Sequence, residues 1–187
     1  MRKVRLQIQC SLDGFIEGPN GEMDWMFHDN EDQWADLFED FKSIDTLLLG
    51  HGMYPDYASY WRGVLKNPSA PKNEIAYAKL AEKTPHIVFS KTETMADWKN
   101  TRFMSDPKEI DKLKQQPGRD MVLLGGSRMV SSFMNLGLID EYKILLNPVV
   151  LGGGKPLFAN QEQRKKLTLD ETKTYQSGVV MLHYRSV

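Results

Sequence analysis

Short apolar runs alternate with helical stretches along the first two thirds of the chain, and that alternation leaves few architectures open. Val4, Leu6, Ile8 and Cys10 alternate with Lys3, Arg5, Gln7 and Gln9, the period of two expected of a strand with one face in a core. Residues 46–50 (TLLLG), 86–90 (HIVFS) and 121–126 (MVLLGG) are brief apolar bursts stopped by glycine or serine, as expected of strands buried on both faces. Between them, residues 30–44 place Trp34, Leu37, Phe38 and Phe41 at helical spacing, with Asn30 as the expected N-cap and acids in the first turn. Residues 73–83 (NEIAYAKLAEK) repeat that periodicity, and 106–118 (DPKEIDKLKQQPG) read as a helix capped by Asp106 with Pro107 at its first position. Residues 51–61 begin a short helix, and the Gly, Asn, Pro and Ser between Trp61 and Pro71 mark a surface connection. Strands alternating with helices predict an α/β protein whose central sheet is largely parallel and covered on both faces.

The pattern changes after Gly137. Residues 141–158 and 166–187 are β-rich with no comparable helix between them, and in the last run Val180, Leu182 and Tyr184 alternate with Val179, Met181 and His183. The expected sheet is therefore mixed, its C-terminal strands closing antiparallel at one edge. A length of 187 residues suits one domain spanning 1–187.

Hydrophobic residues are 41% and charged residues 26%, which leaves no compositional case for disorder. Lys and Arg number 24 against 25 Asp and Glu, a net charge of -1, so nothing draws the whole chain to nucleic acid or to acidic lipid, and the expected partner is a small molecule. Cys10 is the single cysteine, which suits a reducing compartment. No apolar run approaches the roughly 20 residues that span a bilayer, and the first residues alternate rather than form a signal-peptide core; a cytoplasmic location is expected. His28, His51, His86 and His183 are scattered without ligand spacing, so no metal site is expected.

Gly125-Gly126-Ser127 lies between an apolar run and a helical one. At the carboxyl end of a parallel strand, a helix N-terminus offers unpaired N–H groups and partial positive charge to an anion. Glycine lets a phosphate approach the backbone, and Ser127 is suited to cap the helix or to donate to a phosphate oxygen. Met129, Val130, Phe133 and Met134 form the expected buried face, and Gly137 the stop. A tight strand-to-helix turn accounts for the two glycines equally well. The site is not a Gly-x-Gly-x-x-Gly fingerprint, and 152–156 (GGGKP) is not a Walker loop. No Gly-x-Ser-x-Gly elbow occurs either.

Residues 11–18 (SLDGFIEG), 23–25 (MDW), 47–54 (LLLGHGMY), 87–92 (IVFSKT), 122–158 and 177–184 (SGVVMLHY) follow one another as in the dihydrofolate reductase-like superfamily. The chain most resembles its riboflavin-biosynthesis branch, the reductase domain of the bifunctional deaminase-reductase; the zinc motif of the deaminase half does not occur here. The resemblance implies a three-layer fold and an NADPH-dependent reductase. It implies that Gly125, Gly126, Ser127, Arg128 and Met129 receive the cofactor pyrophosphate. Gly50, His51, Gly52 and Met53 would form a second phosphate-contacting turn, with His51 where dihydrofolate reductases usually carry arginine. Ser90 and Lys91 would read the adenosine 2'-phosphate.

By the same resemblance the segment from Gly14 to Trp25, a loop turning at Pro19-Asn20-Gly21, would close over the nicotinamide. Ile16 would touch the ring through its backbone, and Met23, Trp25 and Phe38 would face the substrate. Asp36 on the first helix matches the acid that assists substrate protonation, with an expected raised pKa. Asp13 is the second candidate, as a catalytic acid or as a residue that orders its turn. The implied substrate is 5-amino-6-(5-phosphoribosylamino)uracil or a similar small heterocycle, its phosphate helped by Arg62 and Lys155. Dihydrofolate or another pterin is the alternative, and a catalytically silent NADP(H)-binding protein is an alternative of another class. A homodimer formed through the sheet edge and residues 147–154 is also implied.

Overall fold

A computed structural model of the protein describes residues 1–26, 31–92, 96 and 98–187. The chain runs β1 (Val4–Ser11), β2 (Phe15–Glu17), α1 (Glu31–Phe41), β3 (Ile44–Gly50), α2 (Tyr54–Lys66), α3 (Lys72–Lys83), β4 (His86–Phe89) and β5 (Thr101–Met104). A 3-10 turn over Pro107–Glu109 leads into α4 (Ile110–Lys114), followed by β6 (Asp120–Gly125), α5 (Ser127–Asn135), β7 (Glu141–Asn147), β8 (Lys155–Pro156), β9 (Leu167–Thr174) and β10 (Val180–Ser186).

Eight strands form one sheet in the order β5-β4-β3-β6-β1-β7-β10-β9, while β2 and β8 pair apart from it. Every pair from β5 to β7 is parallel, and β10 runs antiparallel to both β7 and β9. The expected mixed, mostly parallel sheet with antiparallel C-terminal strands is what the chain forms.

Burial on both sheet faces explains the unbroken apolar bursts. In β3, Leu47, Leu48 and Leu49 are all fully buried, yet Leu48 joins one apolar layer and its two neighbours the other. The first layer packs Leu6, Leu48, Ile87 and Leu123 against Ile110 and Leu113 of α4 and Val130 and Phe133 of α5. The second packs Leu47, Leu49, Val88 and Val122 against Phe41, Tyr57, Ala58, Tyr77 and Ala81 of α1, α2 and α3. Each fully buried leucine contributes about 1.5 to 3 kcal/mol, so this three-layer arrangement is what the alternation of strand and helix stabilises.

Several local expectations change. α2 is 13 residues long rather than a brief start, because Tyr57, Ala58 and Val64 share a buried face and Pro55 falls in the first turn, where no N–H is needed; the surface connection shrinks to 67–71. The helix over 106–118 contracts to the 3-10 turn and α4, with Asp106 accepting from the Lys108 N–H at 2.9 Å as a true cap. Ser127 does not cap α5: Gly126 is the N-cap residue and no side chain bonds there. Gly137 does stop that helix, at φ +69°, with the Leu138 N–H donating to the Phe133 carbonyl at 2.9 Å and the Gly137 N–H to Met134 at 3.0 Å. Asn30 and His28 lie outside the described residues. Among those described, no helix is long and apolar enough to cross a membrane.

Candidate functional site

Parallel pairing brings three strand ends together. Gly50 at the end of β3 pairs with Phe89 at the end of β4, and Leu49 pairs with Gly125 at the end of β6. The segments Gly50 to Met53, Ser90 and Lys91, and Gly125 to Met129 therefore share one edge of the sheet. The His51 N–H donates to the Phe89 carbonyl at 3.1 Å, and the Ser90 N–H to Met104 at 2.9 Å, which ties the β3, β4 and β5 ends to one another. Lys91 is exposed just beyond.

The glycines here do different work. A Cβ on Gly50 would sit 3.3 Å from the Met129 Cβ, so β3 abuts the first turn of α5 too closely for most side chains. Gly125 has φ +118°, and a Cβ there would meet Ile8 Cδ1 at 3.3 Å; the Gly125–Gly126 peptide is cis. Gly126 is different. Its φ of -63° and ψ of 179° are open to any residue, and a Cβ would meet nothing within 4 Å. It therefore opens a space at the helix start that the fold itself does not use.

Charge points the same way. The first turns of α1, α2, α3 and α4 carry Glu31 and Asp32, Asp56, Glu74 and Asp111, which offset their positive dipole ends. α5 carries no acid there, and Arg128 stands exposed in its first turn. The N–H groups of Ser127 and Arg128 have no acceptor within the helix. Free amides, an exposed guanidinium and an open N-cap form a donor set that suits a phosphate, so the residues present fit the pyrophosphate of a dinucleotide.

The segment from Gly14 to Trp25 is more ordered than a loop. It contains β2, whose Phe15 pairs with Pro156 and Glu17 with Lys155 of β8. Ile16 is buried in the first apolar layer. The expected turn is present, the Gly21 N–H donating to the Gly18 carbonyl at 3.0 Å, with Gly21 at φ +85°. Met23 is exposed, Trp25 donates its Nε1–H to the Glu22 carbonyl at 2.9 Å, and Phe38 stacks on Trp34 at 5.8 Å within the second layer. Lys155 is ion-paired with Glu17, and Arg62 lies on α2.

Asp36 does not have the expected raised pKa. Burial alone would raise it, but Lys173 Nζ at 2.6 Å and the Tyr175 hydroxyl at 2.8 Å both donate to Oδ2, and together they hold the carboxyl below its ordinary value. The same contacts raise Lys173, mainly through its bond to Asp36, and burial followed by Asp36 pushes Tyr175 up. Asp36 is thus a fixed anion at neutral pH. One turn on, Asp40 pairs with Lys143 of β7, so α1 is moored to this half of the sheet by charge as well as by apolar contact.

Asp13 is not buried among apolar groups either. Its Oδ1 accepts from the Ser11 hydroxyl at 2.6 Å and the Leu151 N–H at 3.1 Å, and its Oδ2 accepts from the Gly152 N–H at 2.7 Å. Reading the sequence missed Lys173, Tyr175 and this glycine-rich contact. Lys173 lies in β9 and Tyr175 directly after it, but nothing local pairs them with a helix so far away along the chain.

A twisted, mostly parallel sheet with this strand order, layered between α1 to α3 and α4 to α5, is the dihydrofolate reductase-like fold. Dihydrofolate reductase from Enterococcus faecalis, solved with NADP(H), matches with a TM-score of 0.61 at 14% identity over 98% of this chain and 96% of that one. A protein from Shewanella sp. PV-4, provisionally ascribed to riboflavin biosynthesis, matches with a TM-score of 0.75 at 21% identity over 100% of this chain and 99% of that one. Within the fold, the model of the RibD C-terminal domain matches residues 2–181, and the chain belongs to that family. The uncharacterized protein YyaP of Bacillus subtilis (strain 168) is 39% identical over 185 residues, 98% of this chain and 94% of YyaP.

Proposed function

We propose that this protein is an NADPH-dependent reductase of the riboflavin-biosynthesis type, acting on a small heterocyclic or ribosylamino acceptor such as 5-amino-6-(5-phosphoribosylamino)uracil. The observation that carries the reading is the meeting of three turns at the ends of β4, β3 and β6, with the open, acid-free start of α5 among them. Gly126, Ser127 and Arg128 hold the pyrophosphate, the turn from Gly50 to Met53 flanks it, and Lys91 supplies a cation for the 2'-phosphate. When bound, the cofactor supplies hydride from its nicotinamide. Ile16 and its short strand lie beside that ring, and Asp36, held ionised by Lys173 and Tyr175, orients polar groups of the acceptor instead of delivering a proton to it.

A fluorescence titration with NADPH and NADH on the wild type and on Gly126→Ala tests the reading. The alanine methyl enters open space, so it costs the fold no more than about 1 kcal/mol as a poorer N-cap. It also fills the place a phosphate would take, and NADPH affinity should fall about tenfold or more. Folded wild type that binds no NADPH would end the proposal.

A further inference from the structure

We propose that Asp13 is a positioning residue: its carboxylate fastens the glycine-rich strap of residues 147–157 to the segment carrying β2, and so sets where β2 stands beside the nicotinamide half of the cofactor. The inference rests on the reductase reading for the ligand, but the fastening itself is read directly from the contacts.

β2 has three residues and β8 two, with an irregular register between them, and a ladder that short does not hold itself in place. Beside the burial of Ile16 and the Lys155–Glu17 pair, it is held by a chain of bonds centred on Asp13. The Phe15 N–H donates to Ser11 Oγ at 2.9 Å, the Ser11 hydroxyl donates onward to Asp13, and Asp13 receives the Leu151 and Gly152 N–H groups of the strap. On either side, the Leu12 N–H donates to the Val149 carbonyl at 2.8 Å and the Leu157 N–H to Gly14 at 2.9 Å. Farther along, Gly154 at φ +131° lies so near the Glu17 carbonyl that no side chain fits between them.

The position of this clasp gives it consequence. β1 lies between β6 and β7 in the sheet, so the chain leaving Ser11 departs beside the Gly125 turn on one side and the strap on the other. Ile8 of β1 already touches the space next to Gly125. A shift of the strap moves β2 and leaves the turns on β3 and β6 where they are.

Only a carboxylate completes these contacts. All three groups bonded to Asp13 are donors, and they use both of its oxygens. Asparagine of the same shape has one acceptor oxygen and would turn its NH2 toward an N–H. The Ser11 hydroxyl, aided by the two strap amides, holds the Asp13 carboxyl below its ordinary pKa, which suits a permanent acceptor and not a proton donor.

The experiment compares calorimetric affinities of wild type and Asp13→Asn for NADPH and for adenosine 2',5'-bisphosphate, which lacks the nicotinamide. The substitution removes a negative charge near an anionic ligand, so screened electrostatics alone would tighten both. The expected result has the opposite sign for one ligand only: NADPH weakens about tenfold while the bisphosphate binds as well as before or slightly tighter. Equal weakening of both ligands, or no weakening of either, overturns the inference while leaving the reductase reading intact. Wild type that binds neither ligand overturns both. Should the variant fold poorly, amide hydrogen exchange on the wild type decides instead: Gly152 is exposed, so slow exchange of the Leu151 and Gly152 amides is expected only if the clasp is formed. Fast exchange of both would refute it.

Discussion

Replacing His86 with phenylalanine should flatten the acid side of the protein's stability profile. His86 opens β4 and is fully buried, its ring stacked on Trp98 at 4.7 Å and edge-on to Tyr57 at 6.1 Å. Among the described residues neither of its ring nitrogens has a hydrogen-bond partner. Burial therefore drives its pKa down from 6.5 to about 4. The unfolded chain takes up this proton first, so the native state has its full margin above pH 6.5 and loses it as the pH falls toward 4. At about 1.36 kcal/mol per pH unit the whole effect is roughly 3 kcal/mol, and by pH 5 roughly 2 kcal/mol of it is gone. Phenylalanine keeps an aromatic ring against Trp98 and cannot be protonated. Urea unfolding of both proteins at pH 7.5 and pH 5 cancels the acid response of every other group. The wild type should lose about 2 kcal/mol more than His86→Phe between the two conditions. Equal losses would show that His86 finds a proton acceptor or water in the native state, and the reasoning would fail.

Two further substitutions probe the fold near the site. Gly154→Ala places a Cβ against the Glu17 carbonyl at a positive φ, and thermal unfolding should fall by roughly 5 to 15 °C, corresponding to about 2 to 4 kcal/mol; an unchanged midpoint would mean the strap does not press on β2. Glu141→Gln leaves Arg5 and Lys3 without the carboxylate they hold at 2.9 and 2.6 Å, and denaturant unfolding at pH 7 should show a loss of about 2 kcal/mol. Burial raises the Glu141 pKa, but these two cations outweigh it and the net shift is downward, so the variant and wild type should converge as the pH falls below 4.5 and through the native value.

The parts of the site that could be read along the chain are those made by consecutive residues. The bursts at 46–50 and 121–126 announced buried strands because both faces are covered, and the glycine pair announced a strand-to-helix turn because the periodicity changes from two to 3.6 across it. β2, β5 and β8 were silent, having two to four residues each, too few for a period to register. The N-cap expectation for Ser127 failed by one residue, since either Gly126 or Ser127 suits that position by composition and only the backbone chooses. Asp36 lies on α1 as read from the sequence, but its ionisation differs from the expectation, because its two donors, Lys173 of β9 and Tyr175 just past that strand, are 137 and 139 residues away.

By itself the sequence determined the types of element and their order, because side-chain period and turn chemistry act over a few neighbouring residues. It also determined that the helix after Gly126 begins without an acid. The tertiary structure alone decided which strand ends meet, since pairing β3 with both β4 and β6 joins segments far apart in the chain. It also decided which ionisable groups keep their charge: Asp36 is held ionised by Lys173 and Tyr175, while His86, with no such partner among the described residues, is held neutral by burial. The physical reason is the same in both cases. Desolvation and charge pairing depend on what surrounds a group in space, and a local pattern carries no record of that surrounding.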